Sequence, residues 1–225
     1  MGYRAALFDL DGTLLDSMGM WAEIDARSLG ARGIHPVPPD YQQAVAAMRI
    51  DEAAIYTITR FGLSDSPESL RAEWLDMARR EYESSICLKP HALSLLKALR
   101  ARGILIGTVS TLTRDQFEPP LKRGGAYELF DAFTSASEAP RGKAYPDAYL
   151  IAAGRLGVSP DECIMYDDMP EALGGARAAG MFTVGVSDPH ARVTRQELCL
   201  AAHRCIDDLA GEAARWAEGR EGIAD

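Results

Sequence analysis

Two aspartates near the start of the chain have the spacing and setting of catalytic carboxylates. Asp9 and Asp11 come directly after the apolar run at residues 5–8 and are followed at once by Gly12 and Thr13. Apolar runs of this length that end in turn residues are typical of buried strands. Two carboxylates at the exit of such a strand are costly unless a positive charge lies between them, and a divalent cation is the simplest candidate. An ordinary strand end followed by a turn is the alternative.

Further along the chain, three more places offer polar residues suited to phosphate or metal. Thr108 and Ser110 follow an apolar run, Lys143 lies in a Gly-Lys-Ala-Tyr-Pro-Asp segment, and Asp167 and Asp168 follow another apolar run. In a doubly wound parallel sheet the carboxyl ends of the strands share one edge. These residues are therefore expected to converge with the first two aspartates on a single cleft.

Together, these residue types predict phosphoryl transfer to a carboxylate. Asp9 is expected to attack phosphorus, and Asp11 to protonate the leaving oxygen and then to activate water. Asp9 and Asp168 are expected to hold Mg²⁺, which prefers oxygen ligands and screens a carboxylate from a phosphate.

The other polar residues at these strand ends are expected to bind and orient. Thr108, Ser110 and Lys143 are the candidates for binding the phosphate oxygens that are not transferred. For Asp167 we expect a role in orienting a metal ligand or Lys143 rather than direct coordination. Asp167 and Asp168 can also cap the helix that follows them, and capping is compatible with metal binding.

The elements that must position these residues alternate between strands and helices. Strands are predicted at residues 5–8, 104–109, 130–134, 163–166 and 182–186, with a short last strand near Cys205 and Ile206. Helices are predicted from residue 90 to Gly103, at 146–156 and at 171–179. This alternation favours an α/β fold with a doubly wound parallel sheet.

Between the first two strands, the chain has the pattern of an all-α insertion. Residues 18–84 carry four helical patterns and no convincing strand, with helices expected near 18–29, 40–48, 51–61 and 66–84. In the third, Ile55, Ile58 and Phe61 share one apolar face. We therefore expect a core domain of residues 1–16 and 87–225 and a helical domain of residues 17–86, with hinges at the two crossings.

Composition excludes several classes of function. Hydrophobic residues make up 47% of the 225-residue chain and charged residues 25%, as in ordinary globular proteins. The net charge of −9 argues against nucleic-acid or membrane partners. The chain shows no leader pattern and no membrane-length apolar run, so we expect a cytoplasmic protein, as a monomer or weak homodimer. Cys87, Cys163, Cys199 and Cys205 lack metal-binding spacing, and reduced thiols are expected.

Four of these motifs resemble those of the haloacid dehalogenase-like hydrolase superfamily, in order and in spacing. They are the Asp-Leu-Asp-Gly-Thr run from Asp9, the strand that ends in Thr108, Lys143 in Lys-x-x-Pro-Asp, and the Tyr-Asp-Asp run that ends at Asp168. The helical insertion resembles the C1-type cap of the phosphoglycolate phosphatase and β-phosphoglucomutase group. The resemblance covers about residues 4–187.

This resemblance implies a Rossmann-like core and a Mg²⁺-dependent reaction through an aspartyl phosphate. It also implies that Asp11 offers the ion its backbone carbonyl rather than its side chain. The sequence departs from the family pattern at Asp167 and Met169, which flank the metal-binding aspartate, and at Ala144, where proline usually follows the lysine. None of these differences removes a required charge, so activity is expected to survive.

Within the superfamily, the residues favour a phosphatase. A dehalogenase lacks the acid that Asp11 supplies, and a phosphonatase needs a cap lysine, whereas no lysine precedes Lys89. A hexose-phosphate mutase resembling the family places a histidine where Trp21 stands. The expected substrate is a small phosphorylated metabolite, such as a sugar phosphate, phosphoglycolate or a nucleotide-like monoester. A phosphomutase and a catalytically silent phosphate-binding protein are the alternatives.

Two residues of the helical insertion are candidates for substrate contacts. Arg49, near the loop between the second and third helices, can bind an anionic or polar group of the substrate or can be a solvated arginine at a helix end. Trp21 can line the pocket or pack between helices, and packing is the favoured interpretation.

Overall fold

A parallel six-stranded sheet organises the protein. The computed structural model describes residues 2–46, 48–191 and 193–219. The strands are β1 (Ala5–Phe8), β2 (Leu105–Ser110), β3 (Ala132–Ser135), β4 (Cys163–Asp167), β5 (Phe182–Val186) and β6 (Arg204–Ile206). All pairings are parallel, and the order across the sheet is β3-β2-β1-β4-β5-β6. The predicted doubly wound α/β fold is confirmed, and its strand order reverses beside β1, where such sheets bind ligands.

Ten α-helices accompany these strands in the described part of the chain. They are α1 (Met20–Gly30), α2 (Pro39–Ala46), α3 (Ile50–Phe61), α4 (Pro67–Ser84), α5 (Ala92–Ala101), α6 (Arg114–Arg123), α7 (Asp147–Leu156), α8 (Pro170–Ala178), α9 (Arg195–Ala201) and α10 (Leu209–Glu218). The predicted second helix reaches Met48, but part of that stretch lies outside the described residues. None of the described helices has the length and apolarity that a membrane span requires.

The chain divides into two compact units. The helical unit, Gly19–Ser85, contains α1 to α4, and the sheet unit contains the residues up to Met18 and from Ile86 onward. The four helices predicted between the first two strands are thus present. Ser66 caps α4 as its sequence suggests, because its side chain accepts a hydrogen bond from the backbone N–H of Ser69.

Burial of β1 on both faces explains its continuous apolar sequence. All four β1 residues are fully buried, as expected for a central parallel strand covered by helices on both sides. On one face Leu7 packs in a core with Tyr149 of α7 and Met165 of β4. On the other face the ring of Phe8 stacks on Tyr166, with centroids 4.6 Å apart. The strand that precedes Asp9 and Asp11 is therefore held in place by packing on both of its faces.

A polar network joins the ends of α1 and α4 in the helical unit. Trp74 is buried, and its Nε1–H donates to Ser28 Oγ at 3.0 Å. The Arg32 guanidinium binds Asp65 at 2.6 Å and Glu73 at 2.8 Å, and these hydrogen bonds lower the pKa of both carboxyls. The unit is thus held by directed contacts as well as by apolar packing.

The apolar pattern of α3 did not identify its buried face. Ile55 is 56% exposed, and the buried side chains of α3 are Ala53, Ala54 and Thr57. Small residues allow close approach of another helix. The buried Thr57 hydroxyl is hydrogen-bonded, because it donates to the Ala53 carbonyl at 2.6 Å. Size and local hydrogen bonding, rather than hydrophobicity, decide which side packs.

The sequence predictions contain neither α6 nor α9. Pro119 and Pro120 lie inside α6, and prolines ordinarily interrupt a helix because they lack an N–H donor. Both helices nevertheless begin with a recognisable capping box, Thr113 with Gln116 in α6 and Thr194 with Glu197 in α9. That local signal would have located both helices.

The expectation of four reduced thiols is wrong for one pair. Cys199 in α9 and Cys205 in β6 form a disulfide, with Cα atoms 5.4 Å apart. The chain turns back directly after α9, and this brings two cysteines without any diagnostic spacing within bonding range. Cys163 is a buried thiol as expected, whereas Cys87 is an exposed one.

Adjacent glycines in α8 provide a test of its packing against residues 143–144. A Cβ at Gly175 would overlap the Lys143 carbonyl and lie 2.9 Å from the Tyr149 ring, whereas a Cβ at Gly174 meets nothing within 4 Å. Gly174→Ala should stabilise the protein by about 0.5–1 kcal/mol through helix propensity. Gly175→Ala should destabilise it by about 1–3 kcal/mol through overpacking. Urea denaturation measures both, and equal effects of the two substitutions would contradict this packing.

Candidate active site

Asp9 stands at the point where β1 leaves the sheet. Its side chain is buried, and its backbone N–H donates to the Tyr166 carbonyl at 2.9 Å, which continues the β1–β4 pairing by one residue. The chain then turns sharply, because the N–H groups of Leu14 and Leu15 both donate to the Leu10 carbonyl. This turn keeps Asp9 and Asp11 at the carboxyl edge of the sheet.

Gly12 makes the turn possible. Its φ is +73°, a conformation that side chains disfavour, and a Cβ at this position would overlap the Asp168 carboxylate. The Thr13 hydroxyl, also buried, donates to Asp168 Oδ1 at 3.5 Å. The segment that carries the first two aspartates thus packs directly on the last one.

Three carboxylates meet at this edge. Asp9, Asp167 and Asp168 are all buried, and one oxygen of each lies within 4.8 Å of the others. Burial, and then the neighbouring carboxylates, raise the pKa of Asp168 to about 8. Burial also raises the pKa of Asp167 to about 6. Carboxylates this close together need positive charge nearby, and hard oxygen donors of this kind suit Mg²⁺.

Lys143 supplies the positive charge within the cluster. Its Nζ lies 2.9 Å from Asp9 Oδ1 and 2.6 Å from Asp167 Oδ2. Burial opposes the charge of the ammonium, but the carboxylates of Asp167 and Asp9 outweigh it and raise the pKa of Lys143. The lysine is therefore a cation in this site. Asp167 contacts this lysine directly, and its role in orienting it stays a prediction.

Tyr149 holds the backbone beside this lysine. Its hydroxyl lies 2.9 Å from the Lys143 carbonyl and 2.7 Å from the Ala172 carbonyl. A donor shared between these two oxygens ties the Lys143 segment to α8, which begins directly after the aspartate pair. Tyr149 carries no sequence signal of this role, since an aromatic residue in an amphipathic helix is usually only a core residue.

Asp11 has a different partner. Its Oδ1 accepts a hydrogen bond from the Ser17 hydroxyl at 2.6 Å, and Ser17 is buried. The Asp11 side chain is not one of the three that form the carboxylate cluster in the described part of the chain. No sequence signal points to Ser17, because a serine six residues after an aspartate follows no motif.

Of the two hydroxyl residues on β2, Ser110 is better placed for phosphate. Phe8 is level with Thr108 in the sheet, so Ser110 lies beyond the level of Asp9. The Thr108 hydroxyl accepts from the Thr134 backbone N–H at 3.2 Å, inside the sheet. Phosphate binding by both residues stays a prediction, and the register favours Ser110 over Thr108.

Trp21 and Arg49 belong to the helical unit. Trp21 in α1 is 38% exposed, so the favoured interpretation, packing between helices, is wrong, and the buried Trp74 has that role instead. Arg49 is exposed and precedes α3, where its backbone N–H donates to Glu52 at 3.1 Å. As substrate contacts, Trp21 and Arg49 stay predictions.

Arg49 differs from the other arginines of the helical unit. The other six are all ion-paired: Arg27, Arg32, Arg60, Arg71, Arg79 and Arg80. Within the described residues, Arg49 has no carboxylate within ion-pair distance of its guanidinium. It is thus the arginine of this unit that is available to an external anion.

Comparison with known proteins identifies the family of this chain. A model of the haloacid dehalogenase-like hydrolase family matches residues 3–180. The chain belongs to this family. Among its relatives, validoxylamine A 7'-phosphate phosphatase of Streptomyces hygroscopicus subsp. limoneus is 31% identical over 188 residues, 84% of this chain and 87% of that protein. Hexitol phosphatase A of Escherichia coli is 29% identical over 205 residues, 90% and 92% of the two chains.

The fold of this haloacid dehalogenase-like hydrolase also has solved counterparts. A structure described as a putative β-phosphoglucomutase from Thermotoga maritima superposes with a TM-score of 0.83 and covers 96% of this chain and 98% of its own, at 19% identity. At that identity the likeness concerns the fold alone. Family membership and the phosphatase relatives together make this chain a phosphoric monoester hydrolase.

For the metal-free protein, we expect the free energy of unfolding to fall from about pH 5.5 to about pH 8.5. The pKa values of Asp167 and Asp168 are raised to about 6 and about 8 from an ordinary value of 3.8. In this window the native state holds protons that the unfolded state has released, so raising the pH favours unfolding. Denaturant titrations in EDTA measure the slope, and Asp168→Asn should make it shallower. A wild-type free energy that rises with pH across this window would contradict the expectation.

Proposed function

We propose that this protein is a Mg²⁺-dependent phosphatase that hydrolyses a small phosphorylated metabolite through an aspartyl phosphate on Asp9. The contact that carries the proposal is the 2.9 Å ion pair between Lys143 and Asp9 Oδ1, at the carboxyl end of the central strand. It places the ammonium of Lys143 beside the proposed nucleophile, where an incoming phosphate needs a cation.

In the first step, a carboxylate oxygen of Asp9 bonds to phosphorus. The bond from phosphorus to the ester oxygen breaks, and Asp11 donates a proton to that oxygen, which leaves as an alcohol. In the second step, Asp11 takes a proton from water as the water oxygen attacks phosphorus. Asp9 is then released as a carboxylate together with inorganic phosphate.

Positive charge and hydroxyl donors near Asp9 support this reaction. In this proposal Lys143 offsets the charge of the phosphate oxygens, and Ser110, at the end of β2, is the candidate for donating a hydrogen bond to one of them. The Ser17 hydroxyl holds the Asp11 carboxylate at 2.6 Å, so the proton carrier has a defined orientation before substrate binds.

The carboxylate cluster fits a magnesium site. Asp9 and Asp168 are the residues that would hold the ion by their side chains, with the backbone carbonyl of Asp11 as a third ligand, while Asp167 is engaged by Lys143. With the three carboxylates ionised, Lys143 alone leaves the cluster net negative, which a divalent ion would correct. When bound, Mg²⁺ screens the nucleophile from the phosphate and stabilises the charge that builds up on its oxygens.

For the substrate, we propose a phosphorylated sugar or sugar alcohol selected by the helical unit, acting as a cap. The names of both relatives above describe phosphatases, and one of them names a hexitol. The helical unit has no lysine, a group that a phosphomutase of this family would use there. Arg49 is its one arginine, among the described residues, that is not engaged by a carboxylate, so it is the candidate for binding a second anionic or polar group.

Asp9→Asn should reduce Mg²⁺-dependent phosphate release from p-nitrophenyl phosphate at least roughly a thousandfold, because an amide is a poor nucleophile. The matched control is Asp16→Asn, the same change at an exposed aspartate seven residues away, which should retain activity. Phosphate release by Asp9→Asn equal to that of the wild type would refute the enzyme hypothesis.

Arg49→Leu should raise the KM for the preferred sugar phosphate by roughly tenfold, the effect of one lost charge-assisted hydrogen bond. The KM for p-nitrophenyl phosphate should change little, because this ester offers no second polar group. Arg80→Leu, at an ion-paired arginine of the same unit, is the control. A screen of phosphorylated sugars and polyols by phosphate release supplies the substrate. Conversion of a hexose 1-phosphate mainly into its isomer would favour the mutase alternative.

A further inference from the structure

Lys89 is a buried cation that the reaction above does not use. It lies three residues after Ile86, where the chain joins the sheet unit, and its side chain is only 11% exposed. Its Nζ donates a hydrogen bond to the Gly12 carbonyl and lies 2.5 Å from Asp188 Oδ2. A second buried ammonium therefore contacts the turn that carries Asp9 and Asp11.

Asp188 is itself held in place to receive this lysine. It follows β5, its side chain is 1% exposed, and its Oδ1 accepts from the His190 backbone N–H at 2.7 Å. The other oxygen, Oδ2, faces the lysine. A buried ion pair gains little net stability, because desolvation of the two charges offsets their attraction. Stability alone is thus a weak explanation for placing Lys89 here.

The backbone around Lys89 already pairs with the catalytic turn. The Lys89 N–H donates to the Leu14 carbonyl at 2.8 Å, and the Asp16 N–H donates to the Cys87 carbonyl at 2.9 Å. These bonds fix residues 14–16 but leave the tip of the turn without a backbone partner from this segment. The lysine side chain reaches that tip at Gly12, 77 positions away in sequence.

Gly12 is the residue of the turn that most needs such a restraint. At φ +73° and without a Cβ, a glycine has alternative backbone conformations of similar energy. Rotation of the Gly12–Thr13 peptide would move the Gly12 carbonyl and the Thr13 N–H, and it would disturb the packing of Gly12 on Asp168. A charged donor on the Gly12 carbonyl selects one orientation of this peptide.

We infer that Lys89 is a positioning residue for the proposed phosphatase reaction: it holds the Gly12–Thr13 peptide, and Asp188 holds Lys89. Lys89 acts through the turn and not on the substrate. This inference rests on the proposed function for its kinetic readout, and on the turn itself for its structural readout.

The test compares Lys89→Met with the double substitution Lys89→Met/Asp188→Asn and with Arg204→Met. The double variant also loses the hydrogen bond to Gly12, but it leaves no uncompensated buried charge, so it is the variant more certain to fold. Arg204→Met is the matched control, because Arg204 pairs at 2.7 Å with the buried Glu212 elsewhere in the sheet unit. Asp188→Asn alone keeps the Lys89 ammonium as a donor and an amide oxygen at position 188 as its acceptor.

With p-nitrophenyl phosphate and MgCl₂, well below each melting temperature, both Lys89 variants should lose kcat by roughly 30- to 100-fold, with KM changed less than about threefold. Amide hydrogen exchange at residues 12–15 should become at least about tenfold faster in both. Arg204→Met should lower the Tm without either effect. Asp188→Asn should keep kcat within about fivefold, because the bond to Gly12 remains.

If the double variant has the same kcat as the wild type and the same amide exchange at residues 12–15, the inference is overturned. The Lys89–Asp188 pair then has only a structural role. A loss of kcat without faster exchange at the turn would overturn it too, since the effect would then not pass through Gly12. If the wild-type protein releases phosphate from no ester, the proposed function fails. The exchange comparison still decides whether Lys89 holds the turn.

Discussion

The constraint on which this structure depends is the burial of three carboxylates within 4.8 Å of one another. Like charges taken out of water repel strongly and seek a proton or a cation, and here burial raises the pKa of two of them. Lys143 is the buried ammonium that binds two members of the cluster directly, at 2.9 and 2.6 Å. Much of the surrounding architecture can be understood as the means of keeping this arrangement in place.

The backbone around the carboxylate cluster is packed so closely that two positions accept only glycine. Gly12 packs against Asp168, and Gly175 of α8 packs against the carbonyl of Lys143, so neither position has room for a Cβ. Tyr149 bridges two carbonyls behind the lysine. Site geometry of this kind is set by contacts behind the reacting groups, because charged side chains this close together would otherwise move apart.

The proposed function assigns the reaction to the sheet unit and the selection of the substrate to the helical unit. The sheet unit holds every residue to which the proposed chemistry is assigned. The two candidates for substrate recognition, Arg49 and the half-exposed Trp21, lie in the helical unit. Phosphatases in the same family carry names that point to different phosphorylated compounds, which is consistent with a common reaction and a variable selecting unit.

The sequence by itself determined the fold class, the buried strands and the acids and lysine of the site. This was possible because those features are local: an apolar run, a capping residue such as Ser66, or an Asp-x-Asp-Gly segment defines its own backbone conformation. Local sequence pattern gave a wrong prediction in two places. The helix that carries Ile55 buries its smaller residues instead, and the prolines inside α6 obscured the capping box that begins it.

Only the tertiary structure decided which side chains meet. The contacts of Asp11 with Ser17 and of Lys89 with Gly12 follow from how strands and turns pack, and the second joins residues 77 positions apart. The disulfide of Cys199 and Cys205 arises in the same way, from a change of chain direction. Sequence spacing measures distance along the chain, whereas charge pairing depends on distance through space, and the fold relates the two.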